Sequence, residues 1–75
     1  MKISVLPGEP GFRDDARLWH VTVDGVPVRQ LVMADDEAGI CISLLLDEKG
    51  RIVTKDGEPV MATQRGLIRI MRPRW

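Results

Sequence analysis

The densest group of potential metal ligands is the acidic run Asp35-Asp36-Glu37. A hard cation such as calcium needs about six to eight oxygen ligands, which a tight loop supplies from alternating positions. Three consecutive acids followed by Ala38-Gly39 do not give that spacing. The pattern therefore favours a solvated turn, and we predict that the protein holds neither a metal ion nor a cofactor.

His20 and Cys41 are the only histidine and the only cysteine in the sequence. Nucleophilic catalysis needs a base within hydrogen-bond reach of the nucleophile and a third group that orients the base. The sequence contains no phosphate loop, dinucleotide fingerprint or nucleophile elbow. We therefore predict that the protein is not an enzyme, that Cys41 is a small buried apolar residue and that His20 lies at the surface.

Charge is distributed unevenly along the chain. Residues 1–48 carry four basic and nine acidic side chains, a sum of −5, whereas residues 49–75 carry seven basic and two acidic ones, a sum of +5. Arginine and tryptophan, which are enriched at the energetic centres of protein interfaces, cluster near the C-terminus. We predict an interface that combines this cluster with the acidic run and comprises Arg65, Arg69, Arg72, Arg74, Trp75, Asp35, Asp36 and Glu37.

Three interpretations of the basic cluster stay open at this point. It can pair with the acidic turns of its own fold, or with an acidic surface on another subunit, where complementary potentials set specificity. It can also contact nucleic-acid phosphates. The third interpretation is the weakest, because the pI of about 6.6 is low for such a binder and aromatic residues for stacking bases are scarce.

Size and composition predict a single β domain over residues 1–75. Hydrophobic residues make up 44% of the sequence and charged residues 29%, which is ordinary for a globular protein. A domain this small buries only about 60% of the surface that its unfolded chain exposes, and a lone cysteine excludes an internal disulfide, so association with another chain is the expected source of added stability. No apolar run approaches the roughly 18 residues of a membrane span, and no secretory signal is apparent.

Turn residues divide the chain into short strands. Asp24-Gly25 between VTV and VPV is the strongest hairpin signal, because a type I′ turn needs positive φ at both central residues. The turn predicts that Val23 pairs with Val26 and Thr22 with Pro27, which places Pro27 near a sheet edge, and a bulge is expected near 29–30. The residues predicted to have structural roles in turns are Asp24, Gly25, Gly39, Gly50 and Gly57.

The remaining patterns complete the predicted sheet. Strands are expected at 2–6 and 17–23, and 40–46 (ICISLLL) is apolar on both faces, which indicates a central buried strand. At the C-terminal end, Ile68 and Ile70 should face the core and Arg69 should face outward. The fold class predicted is mostly β, a small antiparallel barrel or sandwich of about five to six strands built from hairpins.

Four motifs carry a resemblance to known proteins. They are VTVDGVPV at 21–28, ADDEAG at 34–39, DEKGR at 47–51 and RGLIRI at 65–70. Over roughly residues 19–71 the chain resembles small bacteriophage and prophage proteins of unassigned function, which share a strand–DG–strand hairpin, an ADDExG turn and a closing GxIRI strand. The resemblance implies a phage origin and a compact β fold, and it supplies no catalytic residue.

Three hypotheses for function follow. The first is a virion structural protein that docks on other subunits, as a capsid decoration or head–tail accessory protein, with capsid or head–tail subunits or copies of itself as partners. The second is an accessory protein in the host cytoplasm that binds and modulates a host or phage protein. The third is nucleic-acid binding through the C-terminal arginines. Nucleic acid and membrane are the partners that we expect least.

Overall fold

A computed structural model describes residues 1–73 of the chain; Arg74 and Trp75 lie outside the described residues. The described part contains nine short strands and one 3₁₀ helix, Ala16–Leu18. The prediction of a mostly β fold with antiparallel pairing is therefore confirmed. The strands are β1 Lys2–Ser4, β2 His20–Val23, β3 Val26–Pro27, β4 Leu31–Asp35, β5 Ile40–Leu44, β6 Thr54–Lys55, β7 Glu58–Pro59, β8 Met61–Arg65 and β9 Ile68–Met71.

The strands form open sheets, and no barrel closes within residues 1–73. One sheet has four strands in the order β1-β4-β5-β8, a second has three in the order β3-β2-β9, and β6 and β7 form a separate hairpin. The four-stranded and three-stranded sheets both contribute side chains to a single hydrophobic cluster. The architecture is therefore a small sandwich-like pair of sheets.

The core lies between these two sheets. From the four-stranded sheet, Ile3, Ala34 and Cys41 are fully buried, and they share one face because they are directly paired across β1, β4 and β5. From the other sheet come residues at alternating positions, as expected for strands with one solvated face. These residues are Trp19, which directly precedes β2, together with Val21, Val23 and Ile68.

The hairpin at Asp24-Gly25 has the predicted geometry. Asp24 has φ of 50° and Gly25 of 83°, and Val23 pairs with Val26 and Thr22 with Pro27. The backbone N–H of Val28 donates to the carbonyl of Val21 at 2.9 Å. Since β3 has no other neighbour in the sheet, Pro27 lies on an edge strand, as the sequence predicted.

Two local predictions were wrong. Arg17 and Leu18 were expected to begin the second strand, but they belong to the 3₁₀ helix and the strand starts at His20. The bulge expected near 29–30 is a bend between two sheets, where Gln30 has φ of 54°. The irregularity in strand pairing occurs instead between Leu31 and Met33 of β4: Leu31 pairs with Ser43 and Met33 with Ile42, so Val32 is an extra residue on β4.

The predicted central strand is β5, which lies between β4 and β8. Cys41 and Ser43 on its core face are buried, whereas Ile40, Ile42 and Leu44 on the other face are only half-buried. The prediction that both faces are buried is thus correct for one face alone. Within residues 1–73, no helix is long and apolar enough to cross a membrane.

Candidate functional site

The face of the four-stranded sheet that points away from the core is apolar and is only partly covered by the chain. We call it the outer face and define it by the half-buried residues Met33, Ile40, Ile42 and Leu44 and the exposed residue Met61. They share this face because Met33 pairs with Ile42 and Leu44 pairs with Met61 across neighbouring strands. Met61 is 54% exposed. Side chains of this kind are normally buried in a second layer.

Two adjoining hollows open on this side of the sheet. The first has a volume of about 170 Å³ and the second of about 400 Å³. Leu6, Val32 and Met61 line both hollows, so the two form one continuous apolar depression. The other apolar lining residues are Met33 and Ile42 in the first hollow, and Val5, Leu31, Leu44 and Pro59 in the second.

Polar and charged residues contribute to the walls of the depression. Lys2, Ser4 and Glu9 line the first hollow, and Arg17 and Gln30 line the second. Both signs of charge are therefore present at the edge. An apolar centre with a mixed polar rim is the usual anatomy of a protein-binding surface. Methionine suits such a surface because its flexible thioether side chain adapts to different partners.

The acidic run forms the turn between β4 and β5, and its carboxylates already have partners. Asp35 Oδ1 accepts hydrogen bonds from the backbone N–H of Glu37 at 3.0 Å and of Ala38 at 3.1 Å. Asp36 Oδ1 lies 2.6 Å from the N-terminal ammonium of Met1, and this hydrogen bond raises the pKa of the ammonium. Within residues 1–73, no group of three or more histidine, cysteine, aspartate or glutamate residues is arranged to hold a metal ion.

The arginines predicted for an interface lie on different parts of the surface. Arg65 is the last residue of β8 and pairs with Ile40 on the outer face. Arg69 is exposed on β9, where it lines a shallow groove together with Asp36. The guanidinium of Arg72 lies 5.9 Å from the centre of the Trp19 ring. Within residues 1–73, the cations that form ion pairs are the N-terminus of Met1, Arg13 and Arg51. Arg65, Arg69 and Arg72 are not among them. Arg74 and Trp75, also predicted for the interface, lie outside the described residues.

Trp19 organises charged residues at the end of the core. Its ring has the guanidinium of Arg13 at 4.7 Å, in addition to that of Arg72, a cation–π arrangement. The indole N–H is buried and makes no well-formed hydrogen bond within the described chain. It nevertheless lies close enough to the Asp15 carboxylate to lower the pKa of that group, with further lowering from Arg13.

No protein-family model matches the chain, and no curated protein or solved structure is significantly similar to it. The resemblance to small phage proteins therefore stays a prediction from motifs. In the structure those motifs lie at the hairpin turn after β2, the turn after β4, the turn before β6 and the closing strand β9.

The structure does not bring His20 and Cys41 together. His20 is exposed on β2, whereas Cys41 points into the core with no exposed surface. Burial raises the pKa of the Cys41 thiol, which disfavours the reactive thiolate. His20 lies on the solvent face of the three-stranded sheet, and Cys41 lies on the core face of the four-stranded sheet. The two residues therefore do not form a nucleophile–base pair.

Sequence reasoning missed the outer face. The signal was present, because a strand that is apolar on both faces requires a cover on both sides. The chain fully covers only one face of β5 and leaves the other half-buried, so the second becomes a surface feature.

Proposed function

We propose that this chain is a non-enzymatic structural protein of a bacteriophage particle that docks on other virion subunits through its outer face. In its most specific form, the proposal is a capsid decoration or head–tail accessory protein. The virion is then its location. Its partners are capsid or head–tail proteins, and no cofactor takes part.

The observation that supports docking is the incomplete cover of the four-stranded sheet. Met33, Ile42 and Leu44 are half-buried and Met61 is exposed, so a partner that covers them removes additional apolar surface from water. Each square ångström removed contributes about 25 cal/mol. A chain of 75 residues has few other sources of stability, and binding to the folded state adds to it.

The viral part of the proposal rests on the sequence motifs. Short strands joined by DG, ADDEAG and DEKGR turns, and closed by GLIRI, resemble small phage and prophage proteins. The unequal charge of the two halves of the chain favours a defined orientation on a partner, since complementary potentials fix the register of an interface. The same surface suits the alternative of an accessory protein that binds a host or phage protein before particles assemble.

A matched pair of variants tests the docking surface. Met61→Glu places a charge where both hollows meet, while Leu67→Glu places the same charge just before β9 of the other sheet, where Leu67 is 66% exposed. Particles from cells that express each form are purified, and the chain is quantified by mass spectrometry. We expect wild type and Leu67→Glu to copurify with particles and Met61→Glu to fall about tenfold, the effect of losing one central contact.

The same experiment distinguishes the alternatives. Absence of the wild-type chain from purified particles contradicts the virion proposal. Capture of a cellular protein before assembly, lost in Met61→Glu and kept in Leu67→Glu, would instead support the accessory alternative. Equal thermal unfolding midpoints for the two variants exclude misfolding as the cause of any difference.

A further inference from the structure

The two larger sheets have four edges, and two of these are protected against pairing with another strand. On β1, the backbone N–H and C=O of Ser4 that point outward are bonded to the carbonyl of Gly11 and the N–H of Arg13, both at 3.1 Å. On β3, the outward position is Pro27, which has no N–H to donate. Edge strands are commonly protected by such devices.

The outer edge of β8 has no such protection. The hydrogen bond from the N–H of Leu45 to the carbonyl of Val60 shows which residues of β8 bond to β5. Because hydrogen-bonded and non-hydrogen-bonded pairs alternate along an antiparallel ladder, Ala62 and Gln64 bond to β5. The backbone groups of Met61, Thr63 and Arg65 then point outward. These outward groups make no hydrogen bond within the described chain. β8 contains no proline, and its one charged residue is at its end.

The outer edge of β9 is also open, but its charge disfavours pairing with itself. The hydrogen bond from the N–H of Asp24 to the carbonyl of Leu67 shows that Leu67, Arg69 and Met71 are the residues that bond to β2. Ile68 and Ile70 therefore point their backbone groups outward. The antiparallel register that satisfies all outward backbone groups of β9 within the strand pairs Ile68 with Ile70 of the second copy, and it places Arg69 directly opposite Arg69. This is a close, non-hydrogen-bonded pair, and like charges directly opposite each other are destabilising.

We propose that two copies of this chain associate through β8, in antiparallel register around a two-fold axis at Thr63. In this register Thr63 of one copy faces Thr63 of the other, and Met61 of each copy faces Arg65 of its neighbour. Each of these pairs exchanges two hydrogen bonds, so every outward backbone group of β8 is satisfied. No like charges are opposed, and a threonine–threonine pair is a favourable cross-strand contact.

The pairing joins the two four-stranded sheets into one continuous sheet. A two-fold axis between antiparallel strands of one sheet is perpendicular to the sheet, so both outer faces lie on the same side. The dimer therefore presents two copies of the apolar depression side by side. The inference does not depend on the virion proposal, because it follows from backbone groups and charges of the chain alone.

The central pair makes the test specific to this register. Thr63→Lys and Thr63→Glu each place like charges face to face in a homodimer, while an equal mixture of the two places lysine opposite glutamate. Sedimentation equilibrium of wild type should show a reversible increase from 8.4 kDa to twice that mass with concentration. We expect each variant alone to dissociate about fivefold more readily and the mixture to regain at least the wild-type affinity.

Arg69→Glu on β9 is the matched control and should leave the dissociation constant unchanged. A wild-type chain that stays monomeric up to roughly 1 mM overturns the proposal. So does a dimer that is insensitive to both Thr63 variants, or one that Arg69→Glu weakens. Met61→Glu keeps the self-association, since residue 61 faces Arg65 of the second copy. Loss of particle binding by that variant is therefore distinct from loss of the dimer.

Discussion

Asp24 joins three segments that are distant in the sequence. Its backbone N–H donates to the carbonyl of Leu67, and its Oδ1 accepts from the N–H of Leu67, both at 2.9 Å. A Cβ on Gly66 would lie 2.6 Å from the Asp24 carboxylate, so a side chain there would displace the carboxylate from its hydrogen bond. Gly66 in turn donates to the carbonyl of Gly39 at 3.0 Å. Two of the turn residues predicted from the sequence, Asp24 and Gly39, thus also have tertiary roles.

The first prediction concerns this contact. Asp24→Ala removes the acceptor for the Leu67 N–H and places alanine at φ of 50°, so we expect the free energy of unfolding to fall by about 2 kcal/mol. Asp24→Asn keeps an acceptor oxygen and tolerates positive φ, and it should cost less than about 0.5 kcal/mol. Urea unfolding measures both. Equal losses in the two variants would show that the side-chain hydrogen bond and the backbone conformation contribute little.

Asp47 gives a prediction about pH. Its carboxylate accepts from the backbone N–H of Arg51 at 2.9 Å and of Lys49 at 2.8 Å. These bonds lower its pKa below the ordinary value of 3.8, with the Arg51 backbone contributing most. A lowered pKa in the folded state gives a stabilisation that is present above the unfolded pKa and is lost as pH falls through the folded pKa.

We therefore expect wild type to exceed Asp47→Asn in stability at neutral pH, and the difference to shrink below about pH 4. Asparagine keeps the acceptor for both N–H groups but has no charge, so the comparison isolates the titration of Asp47. The other carboxylates titrate in both proteins and cancel. Chemical unfolding at several pH values measures the difference, and a gap that stays constant across the acidic range would contradict this assignment.

At the scale of elements, the edges of the sheets decide what the protein can associate with. The loop after β1 closes one edge through Gly11, whose backbone runs against Lys2. A Cβ on Gly11 would lie 2.5 Å from the Lys2 carbonyl oxygen. Only glycine allows the loop to lie close enough for its carbonyl to accept the Ser4 N–H.

Gly11→Ala should accordingly uncover the β1 edge, with Gly8→Ala as its matched control. Both glycines have positive φ, 83° and 86°, but nothing lies within 4 Å of a Cβ on Gly8. We expect Gly8→Ala to cost about 1 kcal/mol from backbone strain alone and Gly11→Ala about 2–4 kcal/mol. Amide hydrogen exchange of Ser4 should become faster in Gly11→Ala only. Retained protection of Ser4 in that variant would mean that the loop tolerates the side chain.

At the scale of the whole molecule, the acidic and basic parts of the sequence are joined within residues 1–73 by one direct ion pair, the local pair of Asp47 and Arg51. The acidic turn after β4 binds the N-terminal ammonium instead. Within residues 1–73, Arg65, Arg69 and Arg72 form no ion pair. The proposed β8 dimer is consistent with this arrangement, because its register avoids opposing like charges.

Residues 1–73 form a core between the two larger sheets and leave the apolar outer face of one sheet only partly covered. The core combines residues of both sheets around Cys41, while the outer face carries apolar residues of β4, β5 and β8. Covering that face adds about 25 cal/mol for each square ångström of apolar surface removed from water, to a total stability that is about 5–15 kcal/mol for a typical domain. Docking on a partner uses the side chains of the outer face, whereas pairing through β8 uses the backbone groups at the edge of the same sheet. Met61 contributes its side chain to the first and its backbone to the second.

Local chemistry in the sequence determined the turns, the hairpin register from Val23 to Pro27, the edge position of Pro27 and the inward direction of Ile68. Each of these follows from residues close together in the chain, through φ preferences or the two-residue period of a strand. The 3₁₀ helix at Ala16–Leu18 and the irregularity at Val32 did not follow, because neither has a distinct local pattern. Which face of β5 is covered was decided only by the tertiary structure. Covering a face depends on where distant strands and loops lie, and the alternation of apolar residues along one strand contains no information about that.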